Sequence, residues 1–177
     1  KGITVDMGGG STEIVGFEDG RKTCGHSFRI GCLALSKRFA ENPLSVAEGE
    51  LADIKNYVLS ELSTHPEFEN IGGTAYLIGG TARAVAKIFM GVRSGPSSLD
   101  GFEMTADDLF SVRDTVLSDG GAAIKKYSPD RTATVAPGAC ALCEVIRYCG
   151  VERLVISGAG VREGFVAKMI EERKNAK

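Results

Sequence analysis

One eight-residue stretch concentrates the groups that phosphate chemistry needs. Asp6-Met7-Gly8-Gly9-Gly10-Ser11-Thr12-Glu13 sets a carboxylate on either side of three glycines and two hydroxyls. Consecutive glycines permit positive φ and let a ligand come close to the main chain. Successive N–H groups in such a turn can converge as an anion nest, and Ser11 and Thr12 add hydroxyl donors. Asp6 closes a short strand, at the carboxyl end where open α/β sheets bind ligands. A carboxylate beside a phosphate repels it unless a cation stands between them. Mg2+, held by one or two carboxylates, waters and phosphate oxygens, suits that place, which makes Asp6 the candidate metal ligand. Glu13 opens the returning strand, where it can orient or deprotonate an attacking water. The plain alternative is a tight hairpin of ordinary turn residues. It is not a Walker A loop, because no Gly-Lys-Ser/Thr follows.

A second turn, Ile78-Gly79-Gly80-Thr81-Ala82-Arg83, reads as a strand running into a helix with Thr81 as its N-cap. Free N–H groups there favour anions. Arg83 falls in the first helical turn, where a cation opposes the helix dipole by about 0.3–1 kcal/mol, a penalty that a bound phosphate reverses. Gly79, Gly80, Thr81 and Arg83 therefore join Gly8, Gly9, Gly10, Ser11 and Thr12 as candidate phosphate-binding residues. A third turn, Ser157 to Gly164, repeats the strand–glycine–arginine design but has Glu163 where a dinucleotide fingerprint needs its third glycine. Close helix–strand packing explains its glycines almost as well. His26 and His65, in a strand and a loop without evident partners, read as surface or satisfied histidines.

These turns need strands and helices to hold them. Ile3 to Met7, Thr12 to Phe17 and Lys22 to Ile30 read as a β-meander, with Glu18-Asp19-Gly20 as its second turn. Gly31 to Ala40 is apolar-periodic. Ser45 with Glu48 reads as a capping box ahead of Leu51, Ile54, Val58 and Leu62 at helical spacing. Ala75 to Ile78 is a strand, followed by a helix from Ala82 to Phe89 and a loop from Met90 to Gly101. Thr105 with Asp108 caps another helix. Ser128-Pro129 starts a helical stretch interrupted near Pro137, from which a helix runs to Gly150. Val151 to Ser157 is a last strand, Gly160 to Glu172 a last helix, and Arg173 to Lys177 a frayed tail. Strands alternating with helices predict an α/β fold, a mixed β-sheet with helices packed on it, over residues 1–177 as a single domain.

Composition agrees. The chain has 177 residues, 43% hydrophobic, enough for a packed core, and a net charge of −2. Acids and bases are interspersed, so the chain does not read as a nucleic-acid coat, and a phosphate ligand must be gripped locally. No apolar run reaches the roughly 18 residues that span a bilayer. No signal peptide opens the chain, so a cytoplasmic setting is expected. Five cysteines, an odd number at low density, read as reduced and mostly buried. Cys140 and Cys143 form a C-x-x-C on the apolar side of a helix, with no second ligand pair for zinc. Lys125-Lys126 and the Lys-Arg tail read as solvated faces.

The chain resembles the second lobe of the exopolyphosphatase / guanosine pentaphosphate phosphatase (Ppx/GppA) family. The first turn, Ile78 to Ala84, Pro129-Asp130-Arg131 with Ala136-Pro137-Gly138-Ala139, and Ser157 to Gly164 carry the resemblance, in the family's order. The first turn alone is shared with the wider actin, heat-shock ATPase and sugar-kinase group. The resemblance implies a ribonuclease-H-like lobe of the actin-like ATPase superfamily. It implies release of terminal phosphate from polyphosphate or guanosine pentaphosphate, with Asp6 on a divalent metal, Glu13 handling the water, and Gly8 to Ser11 on the phosphates. Family members carry a matching upstream lobe with its own Asp-x-Gly-Ser turn and another catalytic glutamate. Neither is present here, and the chain begins inside a strand pattern at Lys1, so the expectation is half of a two-lobed site and little activity from this half alone. Two other readings stay open: an ATPase or phosphotransferase lobe of the actin-like group, and a non-catalytic guanosine tetra- or pentaphosphate-binding module. The sequence does not choose between the two phosphate chains, and it leaves a homodimer open.

Overall fold

A computed structural model of the chain describes residues 1–91 and 99–175. The opening meander is present: Gly2–Met7 (β1), Thr12–Glu18 (β2) and Arg21–Phe28 (β3). Asp19 and Gly20, at φ 51° and 73°, make the two-residue turn between β2 and β3, the conformation that matches strand twist. Helices Cys32–Phe39 (α1) and Glu48–Leu62 (α2) follow, then Thr74–Ile78 (β4) and Gly80–Met90 (α3). The second half comprises Glu103–Thr105 (β5), Ala106–Ser118 (α4), Ala122–Tyr127 (α5), Val135–Tyr148 (α6), Arg153–Ile156 (β6) and Val161–Asn175 (α7).

The six strands form one mixed sheet in the order β3-β2-β1-β4-β6-β5. β1, β4 and β6 are parallel; β2, β3 and β5 run antiparallel to their neighbours. Strand alternation gives the sheet two unlike faces. Ile3, Val5, Met7, Ile14, Ala75, Leu77, Leu154 and Ile156 are fully buried on one. Thr4, Asp6, Glu13, Val15, Phe17, Ile78 and Val155 are only half-buried on the other, and Tyr76 is exposed. The helical layer centres on α6, which is buried from Val135 to Ile146. Cys140, Cys143 and Cys149 lie in this core as free thiols, and burial pushes each up to about 12. The C-x-x-C is core packing. Among the described residues no helix is long and apolar enough to cross a membrane.

Local expectations fared unevenly. Thr105 and Asp108 exchange the capping-box bonds (Asp108 N to Thr105 Oγ1, 3.1 Å; Thr105 N to Asp108 Oδ2, 2.8 Å). Ser45 and Glu48 do not, because Ser45 is consumed by a turn in which its N–H reaches Asn42 O. α2 instead starts behind Ala47, whose N–H donates to Glu50 Oε2 at 2.7 Å. Pro137 does not interrupt α6. It is the third residue of that helix, where the missing N–H has no intrahelical partner to lose. β5 and α5 are additions, too short to show in a pattern. Arg173 and Lys174 are helical rather than frayed, residues 176–177 lie outside the described residues, and so do 92–98 of the expected loop. His26 and His65 do have partners: their rings stack at 3.7 Å between centroids, and His65 Nδ1 lies 2.9 Å from Glu67 Oε1.

Candidate active site

The antiparallel ladder sets Asp6 directly opposite Glu13, and directly paired residues project from the same face. That face is the half-open one. Burial, and then the charge of Glu13, push the Asp6 carboxyl above its ordinary range, while Arg83 pulls it back. The first and second turns thus act on one another. Their meeting follows from the parallel pairing of β1 with β4, which sets Asp6 beside Ile78 and brings Gly79 against the end of β1. A Cβ on Gly79 would stand 3.0 Å from Met7 O and 3.3 Å from Asp6 Oδ1, and its φ of 96° is open only to glycine.

Glu13 is held by two hydroxyls. Ser11 Oγ donates to Glu13 Oε1 at 2.7 Å and Ser27 Oγ donates to the same oxygen at 2.5 Å. Oε2 accepts no bond from the described residues. Ser27 went unnoticed in the sequence, where nothing marks a serine in β3 as a neighbour of Glu13. Ser11 orients this carboxylate rather than pointing freely at a ligand.

The glycine turn differs from the expected nest. None of Gly8, Gly9 and Gly10 has positive φ, and the Gly8 N–H is spent closing the turn on Ser11 O at 2.9 Å. The N–H groups of Gly9, Gly10 and Ser11 have no acceptor among the described residues, so three donors remain rather than a continuous run. The turn is fixed from behind by the start of α1. Cys32 N donates to Gly8 O, and Leu33 N and Ala34 N both donate to Gly9 O, at 2.9–3.0 Å. Gly31 packs so closely there that a Cβ would come within 2.3 Å of Gly10 C. A Cβ on Gly10 itself would meet nothing within 4 Å. The fold does not require glycine at position 10.

Two expected hydroxyl donors are withdrawn. Thr12 pairs with Met7, one step along from Glu13, so its side chain enters the buried face, where Oγ1 donates to Ile30 O at 3.0 Å. Thr81 is not the cap of α3. Gly79 is, and Thr81 Oγ1 is buried without a hydrogen-bond partner. Gly80 does stand at the helix start, and over it lies a group without an assigned role in the sequence: a Cβ on Gly80 would fall 2.1 Å from the Arg131 guanidinium. A cation against a helix N-terminus is unfavourable alone and favourable once an anion neutralises it. Arg131 arrives by way of the 3-10 turn Pro129–Arg131, a placement that spacing could not reveal. In the third turn the amides of Gly158, Ala159 and Gly160 are already taken. Gly158 N–H goes to Asp100 Oδ1, Ala159 N–H to Ser157 Oγ and Gly160 N–H to Glu163 Oε2.

Asp6, Glu13, Arg83, the three free amides and the start of α3 are therefore brought to one place. No cluster of three or more potential metal-ligating side chains occurs among the described residues. Asp6 fits Mg2+, which takes one or two carboxylates and fills its shell with water and phosphate oxygens. The raised Asp6 carboxyl is what such a cation would satisfy.

A family model described as the Ppx/GppA phosphatase family matches residues 1–173. Among solved structures, the PPX-GPPA enzyme of Aquifex aeolicus is similar at 25% identity and a TM-score of 0.79, covering 94% of this chain and 56% of that one. Another Aquifex aeolicus Ppx/GppA structure gives 21% identity, a TM-score of 0.81, and 97% and 56% coverage. An exopolyphosphatase from Cytophaga hutchinsonii gives 18%, 0.79, and 97% and 57%. The chain spans little more than half the length of these proteins.

Proposed function

This chain belongs to the Ppx/GppA phosphatase family, and on that premise we propose that it supplies one lobe of a hydrolase releasing terminal phosphate from inorganic polyphosphate or guanosine pentaphosphate. The observation that carries the reading is the pairing of Asp6 with Glu13 on the open sheet face, beside three free turn amides and the start of α3. The Gly9, Gly10 and Ser11 amides, with Gly79, Gly80 and Arg83, hold phosphoryl oxygens. Glu13, fixed through Oε1, uses Oε2 to take a proton from water. The water oxygen attacks the terminal phosphorus, the bond to the bridging oxygen breaks, and the shortened chain leaves with that electron pair. Mg2+ on Asp6 would neutralise charge on the phosphate oxygens. The greater length of the relatives supports a second lobe completing the cleft, and positioning by both lobes supplies much of such catalysis. The 177 residues alone should therefore turn over little.

Glu13→Gln tests the role. Its amide oxygen can still accept from Ser11 and Ser27, so fold and ligand binding should persist. In a two-lobed protein carrying this chain, phosphate release should fall by about 10²–10⁴, the usual worth of a general base. Retained turnover would remove Glu13 from the chemistry.

A further inference from the structure

A cavity of about 260 Å3 opens beside the glycine turn, lined by Gly10, Arg29, Ala34, Leu35, Arg38 and Tyr57. Of its two arginines, Arg29 lies in the connection between β3 and α1 and Arg38 on α1. Arg38, on α1, lays its guanidinium over the Tyr57 ring at 4.3 Å and the Phe39 ring at 4.9 Å. The main chain of Arg29 is pinned by α2: Tyr57 Oη donates to Arg29 O at 3.1 Å, and Arg29 N donates to Glu61 Oε2 at 3.4 Å. Neither guanidinium has a carboxylate within 4 Å among the described residues. Two cations sharing one cavity repel each other, and an anion between them removes that cost. Guanidinium groups are shaped for bidentate phosphate contact.

We propose that this cavity is an extension subsite for linear polyphosphate, taking phosphoryl groups farther along the chain whose terminal phosphate sits at the Gly8–Ser11 turn. The proposal rests on the functional reading above and selects between its two substrates. Gly10 belongs to both the turn and the cavity, so the two adjoin and a chain leaving the turn on that side enters the cavity that the arginines line. The lining suits phosphate better than a guanine base. It holds no carboxylate to accept the base's N–H donors, and the Tyr57 face that a base would stack on is already covered by Arg38.

Calorimetry on the 177-residue chain in Mg2+ buffer separates the possibilities, with pyrophosphate, long-chain polyphosphate and guanosine pentaphosphate as probes. Arg29→Gln and Arg38→Gln should each weaken long-chain polyphosphate about tenfold, the worth of one charge-assisted hydrogen bond. Pyrophosphate and guanosine pentaphosphate should bind as to the unaltered chain. Arg29→Gln leaves the Arg38–Tyr57 stack untouched, so it reports on the anion even if the Arg38 variant is unstable. Unchanged polyphosphate affinity in the Arg29 variant, or equal losses for all three probes, would overturn the subsite. Arg83→Gln serves as the control for the turn and should weaken every probe. If pyrophosphate does not bind, or ignores Arg83, the turn assignment itself fails. If the control behaves and the Arg29 variant does not, only the extension subsite fails.

Discussion

Gly31→Ala puts the Gly8–Ser11 turn under direct mechanical test. The backbone at Gly31 has φ −75° and ψ 146°, comfortable for alanine, so the only obstacle is space. The new methyl would stand 2.3 Å from Gly10 C and 2.5 Å from Gly10 N and Gly9 C. Main chain cannot rotate away as a flexible side chain would. Reaching an ordinary contact of 3.4 Å from 2.3 Å requires the turn to retreat by about 1 Å. Overpacking of this kind costs about 1–3 kcal/mol, set against about 0.4–1 kcal/mol gained by restricting the unfolded chain. The net is a loss of about 1–2 kcal/mol, or several degrees in Tm for a chain of this size. A misplacement of about 1 Å in a positioned reactant can cost about 100-fold in rate. Gly10→Ala is the counterpart. Its methyl meets nothing in the protein and its φ is not positive, so Tm should hold or rise slightly. A phosphate seated against the turn would meet that methyl, and binding should fall at least tenfold. Differential scanning fluorimetry reads the stability, calorimetry with polyphosphate the binding, and phosphate release by a two-lobed protein the rate. Unchanged binding in Gly10→Ala, with unchanged turnover in a Gly31→Ala protein that has lost stability, would show that nothing seats on these glycines.

Two further outcomes follow from buried titrating groups. The Asp6 carboxyl is raised in the folded chain by burial and by Glu13. As pH climbs past its unfolded value of 3.8, the unfolded chain gives up the proton first, so charged Asp6 costs stability at neutral pH and nothing below that value. Asp6→Asn should therefore melt higher than the parent at pH 7 without Mg2+, lose that advantage in acid, and abolish turnover; a lower melting point at pH 7 would count against the placement of Asp6. The thiols of Cys140, Cys143 and Cys149, pushed from 9.0 to about 12, should resist disulfide reagents at pH 8, where about 10⁻⁴ of each is thiolate, until the chain unfolds. The same shift preserves stability up to pH 9.0 and removes it progressively as pH rises from there toward about 12. A flat denaturation profile from pH 9 to 11 under reducing conditions would contradict their burial.

How far the sequence could be read depended on the reach of each interaction. Asp6 and Glu13 were legible because a four-residue turn between Met7 and Thr12 fixes their register, and a period of two then puts both on one face. The same rule sends Thr12 to the opposite face, so its withdrawal was also available from the alternation. Ser27 was not. Counting back from the Asp19-Gly20 turn pairs Glu18 with Arg21 and Phe17 with Lys22, which by extension would set His26 opposite Glu13. A bulge at Gly16/Phe17 slips the register by one residue and brings Ser27 there instead. That slip decides the chemistry beside the carboxylate. An imidazole opposite Glu13 could form an ion pair with it on protonation, whereas Ser27 donates a hydroxyl to Oε1 and leaves Oε2 without a bond among the described residues. Arg131 over Gly80, and Arg29 with Arg38 around Tyr57, depend on contacts between elements far apart in the chain, which no local spacing encodes. Local rules thus recover the two acids, the glycine turns and Arg83, while Ser27 beside the glutamate and the arginines brought near the turns emerge only once strand register and helix packing are known.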